Sequence, residues 1–321
     1  MAHDSFFERR GRAINLAVLT LMSACAALAY AAGTLAEAYG GARGVFLLAC
    51  GVVMALAALM LFYARFVEPS WIIVTRTRVA CGMPPGLRIA VIGDFHVGPY
   101  KRAAFLRRVV RRVNALSPDL ILLVGDFLFD HAADTAHLAP LEYLRSPLGT
   151  FAVVGNHDSG AHGDHAHDAA HDRSDDVERF LTPRGVQFLR NGWTVVGDGA
   201  REICIAGVDD VWMRSHNMEA AFRARQAGMP TILLAHNPDV ILDTSSHRAN
   251  LIVSGHTHGG QVRLPFYGSL TALPQKLSKK FDRGIFPVTP TCTLAITHGI
   301  GETFLPLRLF ARPEILVVET R

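Results

Sequence analysis

Two long uncharged stretches dominate the N-terminal part of the chain. No charged residue occurs from Ala13 to Ala36. That run of about 24 residues would span roughly 36 Å as a helix, enough to cross the hydrocarbon core of a bilayer. A second run, from Val45 to Ala64, gives about 20 residues and roughly 30 Å. Gly40, Gly41 and Gly44 lie between them. The pattern therefore predicts a transmembrane hairpin over 13–65, with helices at 13–36 and 45–64, preceded by a short segment at 1–12. Arg9, Arg10 and Arg12 precede the first run and Arg65, Arg76 and Arg78 follow the second, whereas the turn sets Arg43 against Glu37. By the positive-inside rule both ends are cytoplasmic, which places the following domain on the cytoplasmic face of a bacterial-type inner membrane. A cleaved export signal, reading Arg9-Arg10 and Ala29-Tyr30-Ala31, is the competing interpretation. It fits less well, because the apolar run is long for a signal and no apolar pair follows Arg10.

Beyond a linker expected at 66–86 the pattern changes to short aliphatic and β-branched runs. These are Leu87 to Ile92, Leu120 to Val124, Phe151 to Val154, Ile203 to Ala206, Ile232 to Ala235, Leu251 to Ser254, Leu294 to Thr297 and Ile315 to Glu319. Such continuous runs read as strands buried on both faces. Between the first two, Lys101 to Leu116 sets Phe105, Leu106, Val109, Val110, Val113 and Leu116 on one helical face, opposite Arg108 and Arg112. Further helices are expected at Ala136 to Leu144, Asp176 to Leu181, Met218 to Gln226 and Asp239 to Thr244. Residues 87–321 are thus read as one α/β domain. Within it, 160–175 mixes His162, His165, His167 and His171 with aspartates and has no apolar period, as an exposed insertion would.

Composition changes this picture little. Half of the residues are hydrophobic and the net charge is +4. No basic tract interleaved with aromatics points to nucleic acid, and none is expected as a partner. Of five cysteines, Cys25 and Cys50 fall inside the apolar runs. Cys81, Cys204 and Cys292 show no metal-type or redox-type spacing.

The chemistry lies where the strand runs end. Gly93-Asp94-Phe95-His96, Gly125-Asp126, Gly155-Asn156-His157-Asp158, His236-Asn237-Pro238 and Gly255-His256-Thr257-His258-Gly259-Gly260-Gln261 each follow a strand-like run. Singly, a Gly-Asp pair is a turn and a lone histidine packs or caps. Together, in this order, they describe a metal site at the carboxyl edge of a sheet. Mixed carboxylate, carboxamide and imidazole donors suit Mn, Fe, Co or Zn rather than calcium.

Residues Asp94 to Gln261 resemble the calcineurin-like phosphoesterases, and the resemblance covers most of the soluble domain. It implies a two-sheet β-sandwich flanked by helices, a four-layer α-β-β-α arrangement, and a dinuclear centre. By the same resemblance Asp94, His96, Asp126 and His258 hold one ion, and Asp126, Asn156, His236 and His256 hold the other, with Mn the leading choice. His157 is left out of both metal sites and points toward the substrate, oriented by Asp158. Ions about 3.5–4 Å apart activate a water for in-line attack on phosphorus.

The segments His258 to Pro265, Gly299 to Gly301, Leu305 to Arg308 and Arg312 to Glu314 look like a bacterial subgroup of membrane-associated phosphodiesterases. Some of its members are linked to hydrolysis of UDP-2,3-diacylglucosamine in lipid A synthesis, which implies a lipid-linked substrate. Arg263 and Arg308 are candidates for contacting its phosphates. The arginines at 107, 108, 111 and 112 read as a solvated helix face. Two other readings remain: a broad phosphodiesterase of soluble nucleotides, and a non-catalytic metal-binding membrane scaffold.

Overall fold

Two helices lead the chain, α1 (Phe6–Tyr39) and α2 (Gly41–Phe62), reversing at Gly40, whose φ is 57°. A computed structural model describes residues 6–160, 169–197, 202–223, 226, 228–270 and 276–321. Both helices are long and apolar enough to cross a membrane. They overrun the lengths expected from the charge-free runs, and the turn shrinks to Gly40. The two helices approach closely because small residues line the seam: a Cβ on Gly44 would lie 2.7 Å from the Ala36 carbonyl oxygen, and one on Gly51 3.1 Å from that of Ala29. Such small-residue seams are how helices associate where lipid removes any hydrophobic drive. Their large apolar side chains, among them Leu28, Phe46, Leu56 and Leu59, point outward.

The stretch at 66–86, expected as a linker, takes part in the fold. A π-helical turn over Tyr63–Val67 and a 3₁₀ turn over Glu68–Ser70 lead into β1 (Ile73–Val79). The chain continues through β2 (Arg88–Ile92), α3 (Ala103–Asn114), β3 (Leu120–Val124), β4 (Thr150–Val153), α4 (Ser174–Leu181), β5 (Val186–Phe188), β6 (Gly192–Val196) and β7 (Ile203–Gly207). It then forms α5 (Met218–Ala221), β8 (Thr231–Leu234), β9 (Leu251–Ser254), β10 (Arg263–Leu264), β11 (Gly268–Ser269), β12 (Gly284–Thr289), β13 (Cys292–Ile296) and β14 (Glu314–Thr320).

One six-stranded sheet runs β1-β14-β2-β3-β4-β5 and another β12-β13-β9-β8-β7-β6, with β10 and β11 a small hairpin. Strands β2 to β5 are parallel, as are β7, β8, β9 and β13. Alternate side chains leave a strand on opposite faces, so each central strand feeds two cores. Ile89, Val91, Leu120 and Leu122 meet Ile205, Ile232, Leu234 and Val253 between the sheets. Ala90, Ile92, Ile121 and Leu123 pack instead with Leu106, Val109 and Val113 of α3. Burial on both faces explains why these strands read as unbroken aliphatic runs.

All eight expected strands are present. Those not anticipated are β1, β5, β6, β10, β11 and β12, short or part-exposed strands at sheet edges, where polar residues are tolerated and the aliphatic signal fades. Helix expectations fared less well. Residues Thr135–Tyr143 form a tighter 3₁₀ segment interrupted by Pro140. The span Asp239 to Thr244 divides into 3₁₀ turns, Pro238–Leu242 and Thr244–Arg248, capped by Asn237 and Asp243 side chains that accept from Asp239 N and Ser245 N. Such local caps compete with a continuous helix. The α5 helix stops at Ala221 rather than Gln226. Half of the insertion expected at 160–175 (161–168) lies outside the described residues, and α4 already begins at Ser174. The α3 arginines at 107, 108, 111 and 112 are exposed.

Candidate dinuclear metal centre

Parallel strands point their carboxyl ends the same way, so the turns after them converge. Here the turns after β2, β3, β4, β8 and β9 bring Asp94, His96, Asp126, Asn156, His236, His256 and His258 into one cluster, each at most 4% exposed. At that depth an unpaired donor or acceptor is costly, so these groups need one another or a bound ion.

The ligand atoms of Asp94, His96, Asp126 and His258 lie within 4.8 Å of one another, as do those of Asp126, His236 and His256. Asp126 belongs to both sets. Its Oδ2 lies 3.4 Å from His96 Nε2 and 3.2 Å from His236 Nε2. His258 Nε2 is 3.1 Å from His96 Nε2 and 3.8 Å from Asp94 Oδ1. His236 Nε2 is 3.2 Å from Asn156 Oδ1 and 3.1 Å from His256 Nδ1.

Second contacts fix the ring orientations. His236 Nδ1 sits 2.7 Å from the Val124 carbonyl oxygen, which turns Nε2 toward Asp126. His157 Nδ1 sits 2.9 Å from the Phe129 carbonyl oxygen, while its backbone N donates to Asp126 Oδ1 over 2.9 Å. The His256 backbone N likewise donates to Asp94 Oδ1, at 2.9 Å, and Asp94 Oδ2 is buried without a hydrogen-bond partner. Two buried carboxylates among four imidazoles, in two groups whose ligand atoms lie within 4.8 Å of one another, form a donor set that divalent cations would complete.

The backbone is also unusual here. Asp94 (φ 51°), His96 (41°), Asp126 (53°), His256 (70°) and His258 (53°) all adopt left-handed conformations that side chains with a Cβ seldom take. Such strain persists where surrounding structure over-determines it, and functional sites collect it. Gly299 (φ 65°) makes room by letting the 299–301 turn pass against the Asp94 carboxylate.

Charge is finely divided in this pocket. Burial raises the Asp94 carboxyl to about 7, with Asp126 adding to the push and His236 opposing it. Burial works against charge on His236 as well, but Asp126 and Asp94 overcome it and lift the imidazole to about 10. Asp126 itself resists burial, held well below the usual carboxylate range by His236 and His157. Burial, helped by neighbouring imidazoles, keeps His96 and His258 well below the ordinary histidine range.

Two expectations need correction, those for Asp158 and Arg308. Asp158 does not hold the His157 ring: its Oδ1 accepts from Phe127 N and Leu128 N at 2.9 and 3.0 Å, and its Oδ2 from Gly155 N at 3.0 Å. It braces the backbone of the turns that carry Asp126 and Asn156. Arg308 is fully buried and does not face a substrate. Its guanidinium donates to the carbonyl oxygens of His258, His298, Gly299, Gly301 and Ala311, tying together the loops beneath the cluster. Arg263 pairs with Asp282 and donates to Gly259 O, so its charge already has a carboxylate partner.

Two neighbours went unnoticed in the sequence. Buried Asp210 is raised to about 6 by burial, with His236 pulling the other way. Its Oδ1 accepts from Trp212 N and Met213 N, and the Trp212 ring stands edge-on to His256, centroids 5.1 Å apart. The Gly-Val-Asp-Asp run at the end of β7 was the available signal, since it repeats the strand-then-aspartate pattern of the other turns.

Residues 87–260 match the calcineurin-like phosphoesterase family. The chain belongs to that family. It is a metal-dependent hydrolase acting on phosphate esters or anhydrides. An uncharacterized metallophosphoesterase of Bacillus subtilis is 33% identical over 79% of this chain and 87% of its own length. One from Helicobacter pylori is 32% identical over 71% of this chain, which spans 58% of that relative. A UDP-2,3-diacylglucosamine pyrophosphatase of Chlamydia muridarum is 26% identical over 83% of this chain and 94% of its own length.

Proposed function

We propose that this hydrolase cleaves a phosphodiester or pyrophosphate bond at a membrane surface, with UDP-2,3-diacylglucosamine as its substrate. The sharing of Asp126 between two ligand groups carries the reading. In it, Asp94, His96, Asp126 and His258 hold one divalent ion, and Asp126, Asn156, His236 and His256 hold a second. Manganese is the first choice, with Fe, Zn or Co as alternatives. Two ions so held would activate water and neutralise phosphate oxygens. His157, anchored through Nδ1, presents Nε2 to the substrate, where it stabilises the phosphoryl charge or protonates the leaving oxygen.

The membrane half of the reading rests on how the hairpin joins the domain. Arg65 Nε donates to Asn15 Oδ1 over 2.7 Å, and Arg308 N donates to Ala64 O over 3.0 Å. Buried Glu68 accepts from Ala311 N over 2.6 Å. Val18, Tyr63 and Ala64 pack with Leu305, Leu307 and Leu309. The membrane end of α2 is thus tied to the loop whose Gly301 N bonds Asp94 O, a short path from bilayer to cluster. A two-chain lipid bearing a pyrophosphate would be concentrated there, on the cytoplasmic face in this reading. The Chlamydia relative, matched over 83% of this chain, bears the name of a pyrophosphatase acting on such a lipid, which supports this substrate class.

The test is phosphorus product analysis with purified full-length protein and Mn(II), on UDP-2,3-diacylglucosamine and a nitrophenyl phosphodiester. Release of UMP and the lipid phosphate, lost in Asp126→Asn, supports the proposal. Turnover of the generic ester alone would replace it with a broad phosphodiesterase of soluble nucleotides. No metal-dependent turnover on either would favour a scaffold.

A further inference from the structure

A basic cleft lies beside the cluster. The β10–β11 hairpin and the segment 279–283 enclose a cleft of about 600 Å³. Arg263, Lys279, Lys280 and Arg283 line it, against a single carboxylate, Asp282. Asp282 is taken up by Arg263, so the lysines and Arg283 leave the cleft with surplus positive charge. Burial, with Arg263 next to it, holds the Arg283 guanidinium below its ordinary value, as expected where cations crowd.

The rim is apolar and prominent. Phe266, at the tip of the hairpin, is fully exposed and has a φ of 65°, and Tyr267, Leu264 and Phe310 stand out beside it. An exposed aromatic held in a left-handed turn is strained and presents apolar surface to water. Arg283 and Phe310 also line a neighbouring cleft of about 540 Å³, whose other wall includes Leu59, Met60 and Tyr63 of α2 and the turn after it. The basic cleft is therefore continuous with the point where the hairpin leaves the domain. Trp71, half exposed with the Arg312 guanidinium 3.8 Å over its ring, continues the same aromatic and basic belt. Tryptophan, tyrosine and basic residues gather at membrane interfaces in this way.

We infer that this cleft binds the headgroup of an anionic phospholipid of the surrounding bilayer, with the Phe266 tip seated among the acyl chains. The inference rests on the hairpin lying in a bilayer and not on the identity of the substrate. Phosphate oxygens meet Lys279, Lys280 and Arg283, and glycerol and acyl carbons meet Tyr267 and Phe310. The site is mechanically linked to the metal ligands: Arg263 donates to Gly259 O, and Thr257 Oγ1 donates to Asp282 O over 2.6 Å. A bound headgroup therefore steadies the turn that carries His256 and His258.

Native mass spectrometry of the full-length protein in detergent tests this, with titration by dioleoylphosphatidylglycerol, dioleoylphosphatidylcholine or inorganic phosphate. Each cation near an anionic lipid surface contributes about a fivefold gain in affinity. One phosphatidylglycerol should be retained at least about tenfold more tightly than phosphatidylcholine. The preference should fall in Lys279→Gln/Lys280→Gln and vanish when Arg283→Gln is added, while a distant control, Arg107→Gln/Arg111→Gln, keeps it. Equal retention of the two lipids, or a preference untouched in the triple variant, would overturn the assignment. Displacement of phosphatidylglycerol by millimolar inorganic phosphate would also overturn it, since the site would then recognise free phosphate.

Discussion

His236 Nε2 lies 3.2 Å from Asp126 Oδ2, joining a turn of one sheet to a turn of the other across the centre of the cluster. Asp126 is the residue on which both ligand groups depend. Asp126→Asn keeps the shape and removes the charge. Losing a directly binding oxygen should cost more than the roughly 10- to 100-fold that removal of an outer partner costs in metal affinity. Metal analysis of the purified variant should show both ions depleted together. Loss of only one would mean that Asp126 serves a single site.

His157 predicts the opposite pattern. Its ring is anchored to Phe129 O and sits beside His96, centroids 4.5 Å apart, without belonging to either ligand group. His157→Ala should retain its metal and lose about 10²- to 10⁴-fold in turnover. Metal content and steady-state kinetics on the same preparation check this. A variant with depleted metal would make His157 a ligand.

Arg308 holds loops rather than substrate. Lysine in its place keeps a charge but not the planar fork that reaches several carbonyls at once. With the donors removed from a fully buried site, Arg308→Lys should lose about 3 kcal/mol or more of stability. Denaturant unfolding of the detergent-solubilised protein measures the loss, and a midpoint equal to the native one would refute the role.

Proton competition should govern metal uptake. Without metal, His236 keeps its proton up to about 10 and Asp94 up to about 7, because burial and the neighbouring charges set them there. Both must lose protons to bind a cation, so affinity rises with pH, about tenfold per unit for each proton released. The slope should be about two logarithmic units per pH unit below pH 7 and about one between 7 and 9. Competition with a chromophoric chelator across that range reads it directly. A flat profile would show that neither group ligates.

Much of this site was legible because each ligand follows a strand buried on both faces. Leu120 to Val124 before Asp126 and Leu251 to Ser254 before His256 announce themselves as aliphatic runs. What stayed hidden depends on distant partners. Asp158 directly follows His157 in sequence, yet its carboxylate reaches back to Phe127 and Leu128. Arg308 lies 50 residues from His258, and nothing local tells a buried tie from a substrate contact. The β1 strand, Ile-Val-Thr-Arg-Thr-Arg-Val, alternates polar residues at a sheet edge and so passed for a linker. Helices failed where Pro140 and the Asn237 and Asp243 caps imposed tighter turns on sequences of helical composition.

The central claim is that two ions share Asp126. Crystals of the protein grown with Mn(II), measured at the manganese absorption edge, test it most directly. The account predicts two anomalous peaks about 3.5–4 Å apart on either side of the Asp126 carboxylate. A single peak, or none within reach of Asp126, would contradict it.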